Sequence, residues 1–247
     1  MEPTVYLDAL RGDGSALSRA ARGALDAPVP SCPGWSVTDL VAHVGQVHRD
    51  KAGIVRTGRA TQRPPRAQDP TVTGDALLAW YDEGLADLVA VLAAADPDQP
   101  TWTWSRHAAD ARVAFWLRRM AHETAVHRWD AERATGSPLP IGPPALAADG
   151  VDEVLEVWMD DPDDPPYAGA AGTVHLHASD TPGEWVLRLG ADGGVEVARE
   201  HEHADVALRG PASDLDLVLW GRLPASALGP LGDVTLLDGF LAWLSGN

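Results

Sequence analysis

The chain of 247 residues, with 45% hydrophobic and 22% charged residues, has an ordinary globular composition and is long enough for one large domain or two smaller ones. Its formal net charge of -17 argues against nucleic-acid binding, because a phosphate-binding surface needs clustered lysine and arginine. No run of about 18 apolar residues predicts a membrane span, and the N-terminus lacks the charged-then-apolar pattern of a signal peptide.

Four long helices are predicted in the first part of the chain, where apolar residues recur at three- and four-residue spacing. Ser36 is the predicted N-cap of the second helix, because Asp39 stands at the third helical position, where an acidic side chain is favoured. Prolines and glycines separate the helical segments. The predicted helices cover residues 4–26, 37–56, 74–95 and 116–135. Four such helices joined by loops predict a bundle.

In the second part of the chain the spacing of apolar residues changes from the helical period of about 3.6 residues to the strand period of about 2. A helix at 145–159 and an acidic, proline-containing loop precede this change. The predicted strands cover 173–178, 185–189, 195–197 and 204–208, and helices follow at 211–220 and 234–244. Short gaps between the first three strands suit antiparallel hairpins. We therefore expect an α+β protein, with a four-helix bundle over residues 1–142 and a smaller α+β domain with a mainly antiparallel sheet over 143–247.

The fourth predicted helix carries the pattern with the clearest chemical meaning. At 100° per residue, four of its side chains share a face that points inward. They are Trp116, Met120, Glu123 and His127. The opposite side is expected to carry Arg118, Arg119 and Arg128. An ionised Glu123 inside the protein needs a compensating partner, because desolvating a lone carboxylate is costly. A divalent metal ion held by Glu123 and His127 would be such a partner.

This glutamate–histidine pair has a simpler explanation as well. Glu123 and His127 can share a hydrogen bond on a solvated face, or His127 can be a core histidine, since the E-x-x-x-H pattern is short and common. A metal site needs a third ligand, and the second helix offers His43 and His48. Periodicity mildly favours His48, which lies near the middle of the apolar stripe, over His43 on its flank. The pattern alone leaves the choice open.

Two motifs in the first part of the chain resemble a known family. They are CPGWSVTDLVAHVG at residues 32–45 and RMAHETAVHRWD at residues 119–130. Together they resemble the mycothiol-dependent maleylpyruvate isomerase family, which belongs to the DinB-like four-helix metalloproteins. The resemblance covers nearly the whole chain and implies a metal-binding bundle followed by a domain related to sterol-carrier proteins.

The resemblance also implies the residues of a metal site. The implied zinc ligands are His43, Glu123 and His127. Two histidines and one glutamate leave zinc a fourth, open position, which is the arrangement of a catalytic site rather than a closed structural one. His48 and His122 become candidates for orienting these ligands. Arg222 stands where the family pattern suggests a contact with an anionic substrate.

The implied chemistry uses a thiol. Zinc stabilises a bound thiolate. The resemblance implies that the thiol is mycothiol. Its thiolate could add to a small electrophile such as maleylpyruvate and leave again after isomerisation, or it could remain attached to the product in an S-transfer. A zinc hydrolase with His122 or His48 as proton acceptor is one alternative, and a non-catalytic protein that binds a metal or small molecule is another. We expect a cytoplasmic monomer or small homo-oligomer, without a nucleic-acid or membrane partner.

Several other features are expected to lack a functional role. Cys32 is the single cysteine, which excludes an internal disulfide framework and suits a reducing compartment. Without a nearby base it is expected to be inert. His175 and His177 on a strand, and the turn 201–203, are expected to be solvated. The acidic segment 160–164 is expected to be a loop rather than a cation site.

Overall fold

A computed structural model describes residues 1–58, 61–159 and 165–246. The chain divides into two compact units, Met1–Leu139 and Pro140–Asn247. The acidic segment 160–164, for which a loop was expected, lies outside the described residues. In the part of the chain that the structure describes, no helix combines the length and apolar character that crossing a membrane requires.

The first unit is helical. Its long helices within the described residues are α1 (Pro3–Ala21), α2 (Val37–Thr57), α3 (Asp75–Ala94) and α4 (Val113–Thr135). Helix α1 packs against α3 and α4, and α2 packs against the same two helices. All four correspond to predicted helices, although α1 ends earlier and α4 begins earlier than predicted. This packing brings α2 and α4 together, and these two helices carry the histidines and the glutamate singled out by the sequence.

Helix α2 begins where the sequence predicted. The Ser36 side-chain oxygen accepts a hydrogen bond from the Asp39 backbone N–H at 3.3 Å, and Asp39 Oδ2 accepts one from the Ser36 backbone N–H at 2.8 Å. The hydrogen bonds from Ser36 lower the pKa of Asp39. This reciprocal capping box satisfies two backbone donors at the helix start.

The second unit combines a sheet with three α-helices in its described residues. The helices are α5 (Pro144–Glu153), which continues as a π-helical turn (Val154–Trp158), α6 (Ala212–Leu219) and α7 (Val234–Ser245). The strands are β1 (Gly172–Ala178), β2 (Glu184–Leu189), β3 (Val195–Ala198), β4 (Val206–Gly210) and β5 (Leu231–Gly232). Their order is β3-β2-β1-β4-β5. The β1–β2, β2–β3 and β4–β5 pairs are antiparallel, whereas β1 and β4 are parallel.

The two faces of this sheet differ in polarity because strand side chains alternate. One face is apolar, and with side chains of α5, α6 and α7 it forms the core of the unit; its strand residues include Val174, Leu176, Leu187 and Leu208. His175 and His177 of β1 point to the other face. The predicted α+β class, with a helical first part and a mainly antiparallel sheet in the second, is confirmed.

Candidate metal centre

Three polar side chains from two helices meet in the helical unit. His43 lies on α2, and Glu123 and His127 lie one turn apart on α4. The Glu123 Oε1 atom is 3.6 Å from His43 Nε2 and 3.4 Å from His127 Nε2. In a tetrahedral zinc site with bonds of about 2.0–2.1 Å, neighbouring ligand atoms are about 3.3 Å apart. Both distances from Glu123 are close to that value, and the ligand atoms of all three residues lie within 4.8 Å of one another, so one ion could reach all of them.

The packing of both helices positions these side chains. On α4, Trp116 and Met120 are buried on the same face as Glu123 and His127, as the helical period predicts. The His43 ring contacts two other rings, with its centroid 5.0 Å from that of Trp35 and 5.2 Å from that of His127. Aromatic contacts at this distance restrict the orientation of the His43 imidazole.

The three side chains differ in how much solvent they reach. The exposed fraction of the side chain is 38% for His43, 16% for Glu123 and 10% for His127. Solvent therefore reaches the cluster mainly at His43, while His127 forms its buried end. A small molecule that entered at the His43 end would meet the ligand atoms directly.

A buried carboxylate orients His127 from behind. Asp130 Oδ2 is 2.9 Å from His127 Nδ1, and Asp130 is fully buried. Ser31 donates its hydroxyl to the other Asp130 oxygen at 2.6 Å. A proton on Nδ1 shared with Asp130 leaves the Nε2 lone pair of His127 free to bind a metal ion. Histidine ligands of zinc commonly have such a carboxylate on the opposite nitrogen.

The electrostatics of the cluster favour positive charge beside Glu123. Burial by itself would lower the pKa of His127, but the Glu123 and Asp130 carboxylates outweigh it and raise that pKa to about 9. Burial would raise the pKa of Glu123, but the Arg119 guanidinium and His127 hold it well below its usual range. Glu123 is therefore ionised, and a cation at His127 Nε2 is stabilised, whether it is a proton or a metal ion.

Arg119 corrects one expectation about α4. It does not lie on the opposite side of the helix: its buried guanidinium donates a hydrogen bond to Glu123 Oε2. A residue four positions before Glu123 is only about 40° away around the helix, so the two side chains are neighbours. Arg128 is also buried, bound to Asp13 and Glu132. Arg119 thus supplies part of the charge compensation that the sequence assigned to a metal, and it leaves Oε1 facing the histidines.

His48 and His122 are both buried but lie outside the cluster of ligand atoms. His48 Nε2 is 2.9 Å from the Thr124 hydroxyl, and burial lowers the pKa of this histidine to about 3. The His122 ring packs edge-on against Tyr6 of α1, with 6.1 Å between ring centroids. Periodicity correctly predicted that His48 points inward, but it is His43, on the flank of α2, that meets Glu123 and His127.

Two family profiles match the chain. The Mycothiol maleylpyruvate isomerase N-terminal domain matches residues 7–132, and the MDMPI C-terminal domain matches residues 145–239. The chain belongs to the mycothiol maleylpyruvate isomerase family. The membership in this enzyme family that the two motifs predicted is thereby confirmed.

Solved structures agree with this assignment in fold. Crystal structures of a mycothiol-dependent maleylpyruvate isomerase and of a mutant of it are similar to the chain, each with a TM-score of 0.61. Sequence identity is 16% in both cases, over 90% of this chain and 90% of the other. No curated protein matches the chain.

Arg222 lies in the second unit, just after α6. It is half-buried, and its Nη1 donates a hydrogen bond to the Trp220 backbone oxygen at 2.8 Å. This bond holds part of the guanidinium against the end of α6. The family-derived suggestion that Arg222 contacts an anionic substrate stays a prediction.

Cys32 corrects a second expectation. It was expected to lack a nearby base, but its Sγ lies 3.7 Å from Asp130 Oδ2. Ligand atoms of Cys32, His127 and Asp130 all lie within 4.8 Å of one another. The loop before α2 therefore brings Ser31 and Cys32 to the carboxylate that orients His127.

Sequence reasoning missed the residues that support the three candidate ligands. Asp130 stands three positions after His127, and Arg119 stands four positions before Glu123, so helical spacing could have identified both as neighbours. Ser31 and Trp35 precede α2, and their contacts with Asp130 and His43 depend on how the loop packs. No local pattern reveals such contacts.

Proposed function

We propose that this chain is a zinc-dependent, mycothiol-using isomerase or S-transferase that acts on a small electrophilic substrate, with His43, Glu123 and His127 as metal ligands. The single observation that carries the proposal is the convergence of three ligand atoms within 4.8 Å of one another, with Asp130 behind His127. Family membership supports it, as does the similarity of the fold to a mycothiol-dependent maleylpyruvate isomerase.

The ligand set supports a catalytic metal. Two imidazoles and one carboxylate are the donors that zinc prefers, and three protein ligands leave one position for an exchangeable group. When bound, zinc would lower the pKa of a thiol at that position, so that the thiolate can add reversibly to an activated double bond and permit cis–trans rotation. The carboxylate of Glu123 offsets one of the two metal charges. A thiolate or an anionic substrate is therefore attracted to the remaining positive charge.

The surrounding residues would tune this site. Arg119 holds Glu123 Oε2, which keeps Oε1 directed at the histidines. Asp130 fixes the His127 tautomer that presents Nε2. Trp35 restricts the His43 ring at the solvent-exposed end, where a thiol would enter. These residues position the ligands rather than react themselves.

The zinc-hydrolase alternative requires a proton acceptor beside the metal. The two histidines suggested for that role are both buried, His48 against Thr124 and His122 against Tyr6. Neither joins the ligand cluster, which favours the thiol chemistry over hydrolysis. A non-catalytic binding protein would keep the metal and show no turnover.

The test combines metal content with thiol-dependent turnover. We expect about one zinc at this site, with mycothiol-dependent consumption of a maleylpyruvate-type electrophile, and loss of both in Glu123→Ala and Glu123→Gln. Glu83→Ala on α3, where the side chain is 77% exposed, is the matched control and should behave as wild type. Full turnover in both Glu123 variants would refute the proposal. Stoichiometric metal without turnover, with or without thiol, would identify a binding protein.

The remaining parts of the proposal concern the second unit and the setting. We assign Arg222 a role in binding the anionic group of the substrate, and we expect the Pro140–Asn247 unit to resemble sterol-carrier proteins. Use of a small thiol and the presence of a single cysteine fit a reducing, cytoplasmic location.

A further inference from the structure

Three histidines and one glutamate converge on the polar face of the sheet in the second unit. His175 and His177 alternate along β1 and so share this face. Glu184 of β2 is the cross-strand partner of His177, and His201 follows β3. The sequence separates these residues into a strand pair and a charged turn, for which solvated positions were expected. That expectation is wrong for His175, which is buried, whereas the turn 201–203 is exposed as expected. The hairpin and the segment after β3 nevertheless bring the four side chains together.

The ligand atoms of this group lie close enough together for one metal ion to reach them. Glu184 Oε2 is 3.4 Å from His175 Nε2 and 2.6 Å from His201 Nδ1. Glu184 Oε1 is 3.1 Å from His177 Nδ1. One ligand atom from each of the four residues lies within 4.8 Å of all the others. A tetrahedral zinc site has ligand atoms about 3.3 Å apart, so modest side-chain rotations would bring all four onto one ion.

His175 provides an independent indication. Its side chain is only 9% exposed, and its Nε2 atom is buried without a hydrogen-bond partner among the described residues. This is the atom that faces Glu184. Its 3.4 Å contact with Glu184 Oε2 does not form a hydrogen bond, and a bound ion would satisfy this buried nitrogen.

We propose that His175, His177, Glu184 and His201 form a metal site in the second unit, separate from the one formed by α2 and α4. The donor set of three imidazoles and one carboxylate is suited to Zn²⁺ or another late divalent transition metal, and not to Mg²⁺ or Ca²⁺, which prefer oxygen. Four protein ligands complete a tetrahedral shell, so the site is structural rather than catalytic.

Such an ion would connect three parts of the unit. It would link β1 and β2 with the segment after β3, where His201 is otherwise 76% exposed. Arg188 of β2 is bound to Glu200 and Glu202, which flank His201. These two carboxylates already have a cationic partner, so Glu184 is the carboxylate available to the ion.

The test isolates this site from the one in the helical unit. Full-length Glu123→Gln and wild type are stripped with a chelator, equilibrated with Zn²⁺ or Co²⁺, and desalted. We expect about two metal ions per wild-type chain and about one in Glu123→Gln. In that background His201→Ala should weaken metal binding by more than roughly 100-fold, which exceeds the effect of losing an outer partner. The Co²⁺ form should show tetrahedral absorption that His201→Ala abolishes.

His203→Ala is the matched control, because His203 is exposed and lies two residues from His201 outside the cluster. It should retain metal and absorption fully. His201 is largely exposed, so its removal leaves the fold intact, which circular dichroism checks. Absence of metal in Glu123→Gln, or equal binding by the His201 and His203 variants, would overturn the proposal. If Glu123→Gln retained two ions and His201→Ala lost one of them, the site in the second unit would be supported. Only the metal site proposed at Glu123 would then be contradicted.

Discussion

The carboxylate behind His127 allows a quantitative test of the candidate metal centre. Asp130→Asn keeps the shape of the side chain but removes the negative charge that lies 2.9 Å from His127 Nδ1. Loss of a hydrogen-bonding partner of this kind typically weakens metal binding 10- to 100-fold. This corresponds to about 1.4–2.8 kcal/mol, at about 1.4 kcal/mol for each factor of ten. We therefore expect the zinc dissociation constant of Asp130→Asn to be about 10 to 100 times that of wild type.

The affinity can be measured by competition with a chromophoric chelator at fixed pH. Ser31→Ala is a useful companion, because it removes the 2.6 Å hydrogen bond to Asp130 but leaves the carboxylate charge in place. Its effect on zinc affinity should be several-fold smaller than that of Asp130→Asn. Thermal unfolding of each metal-free variant checks that the helical unit remains folded. Equal zinc affinity in wild type and a folded Asp130→Asn would refute the role assigned to this carboxylate.

Two further predictions concern stability. A Cβ at Gly45 would lie 2.4 Å from Trp80 Cζ3, so Gly45→Ala should destabilise the protein by about 1–3 kcal/mol. A Cβ at Gly53 would have nothing within 4 Å, so Gly53→Ala should stabilise the protein by about 0.5–1 kcal/mol. Denaturant titrations measure both changes. Equal effects of the two would contradict the close approach of α2 and α3. Hydrogen bonds from Thr173 lower the pKa of Asp205 in the folded protein. Ionised Asp205 therefore stabilises the fold at any pH above its unfolded pKa of about 3.9, and this stabilisation is lost as the pH falls through the folded pKa. Thr173→Val should therefore lower the denaturation midpoint relative to wild type, and the decrease should be larger at about pH 7 than at about pH 3. An equal decrease at both pH values would exclude this linkage.

Much of the secondary structure follows from local patterns. Ser36 and Asp39 identify the start of α2, because capping depends only on residues three positions apart. The apolar period places Trp116, Met120 and Glu123 on one face of α4, and alternation identifies β1 and β2. The same local rules failed for the parallel pairing of β1 with β4, since it joins strands separated by two others in the chain. They also missed β5, which has only two residues.

The residue types of both candidate metal sites are visible in the sequence, but only tertiary packing decides which of them meet. Periodicity ranked His48 above His43, yet the distance from α2 to Glu123 depends on the rotation and depth of two packed helices. The convergence of His175 and His177 with His201 depends on a hairpin and on the path of the chain after β3. By itself, the sequence determined the helices, most strands, the α+β class and, through two motifs, the family. The ligand geometry and the partners Asp130 and Arg119 required the folded chain, because hydrogen-bond distances are set by packing rather than by spacing along the sequence.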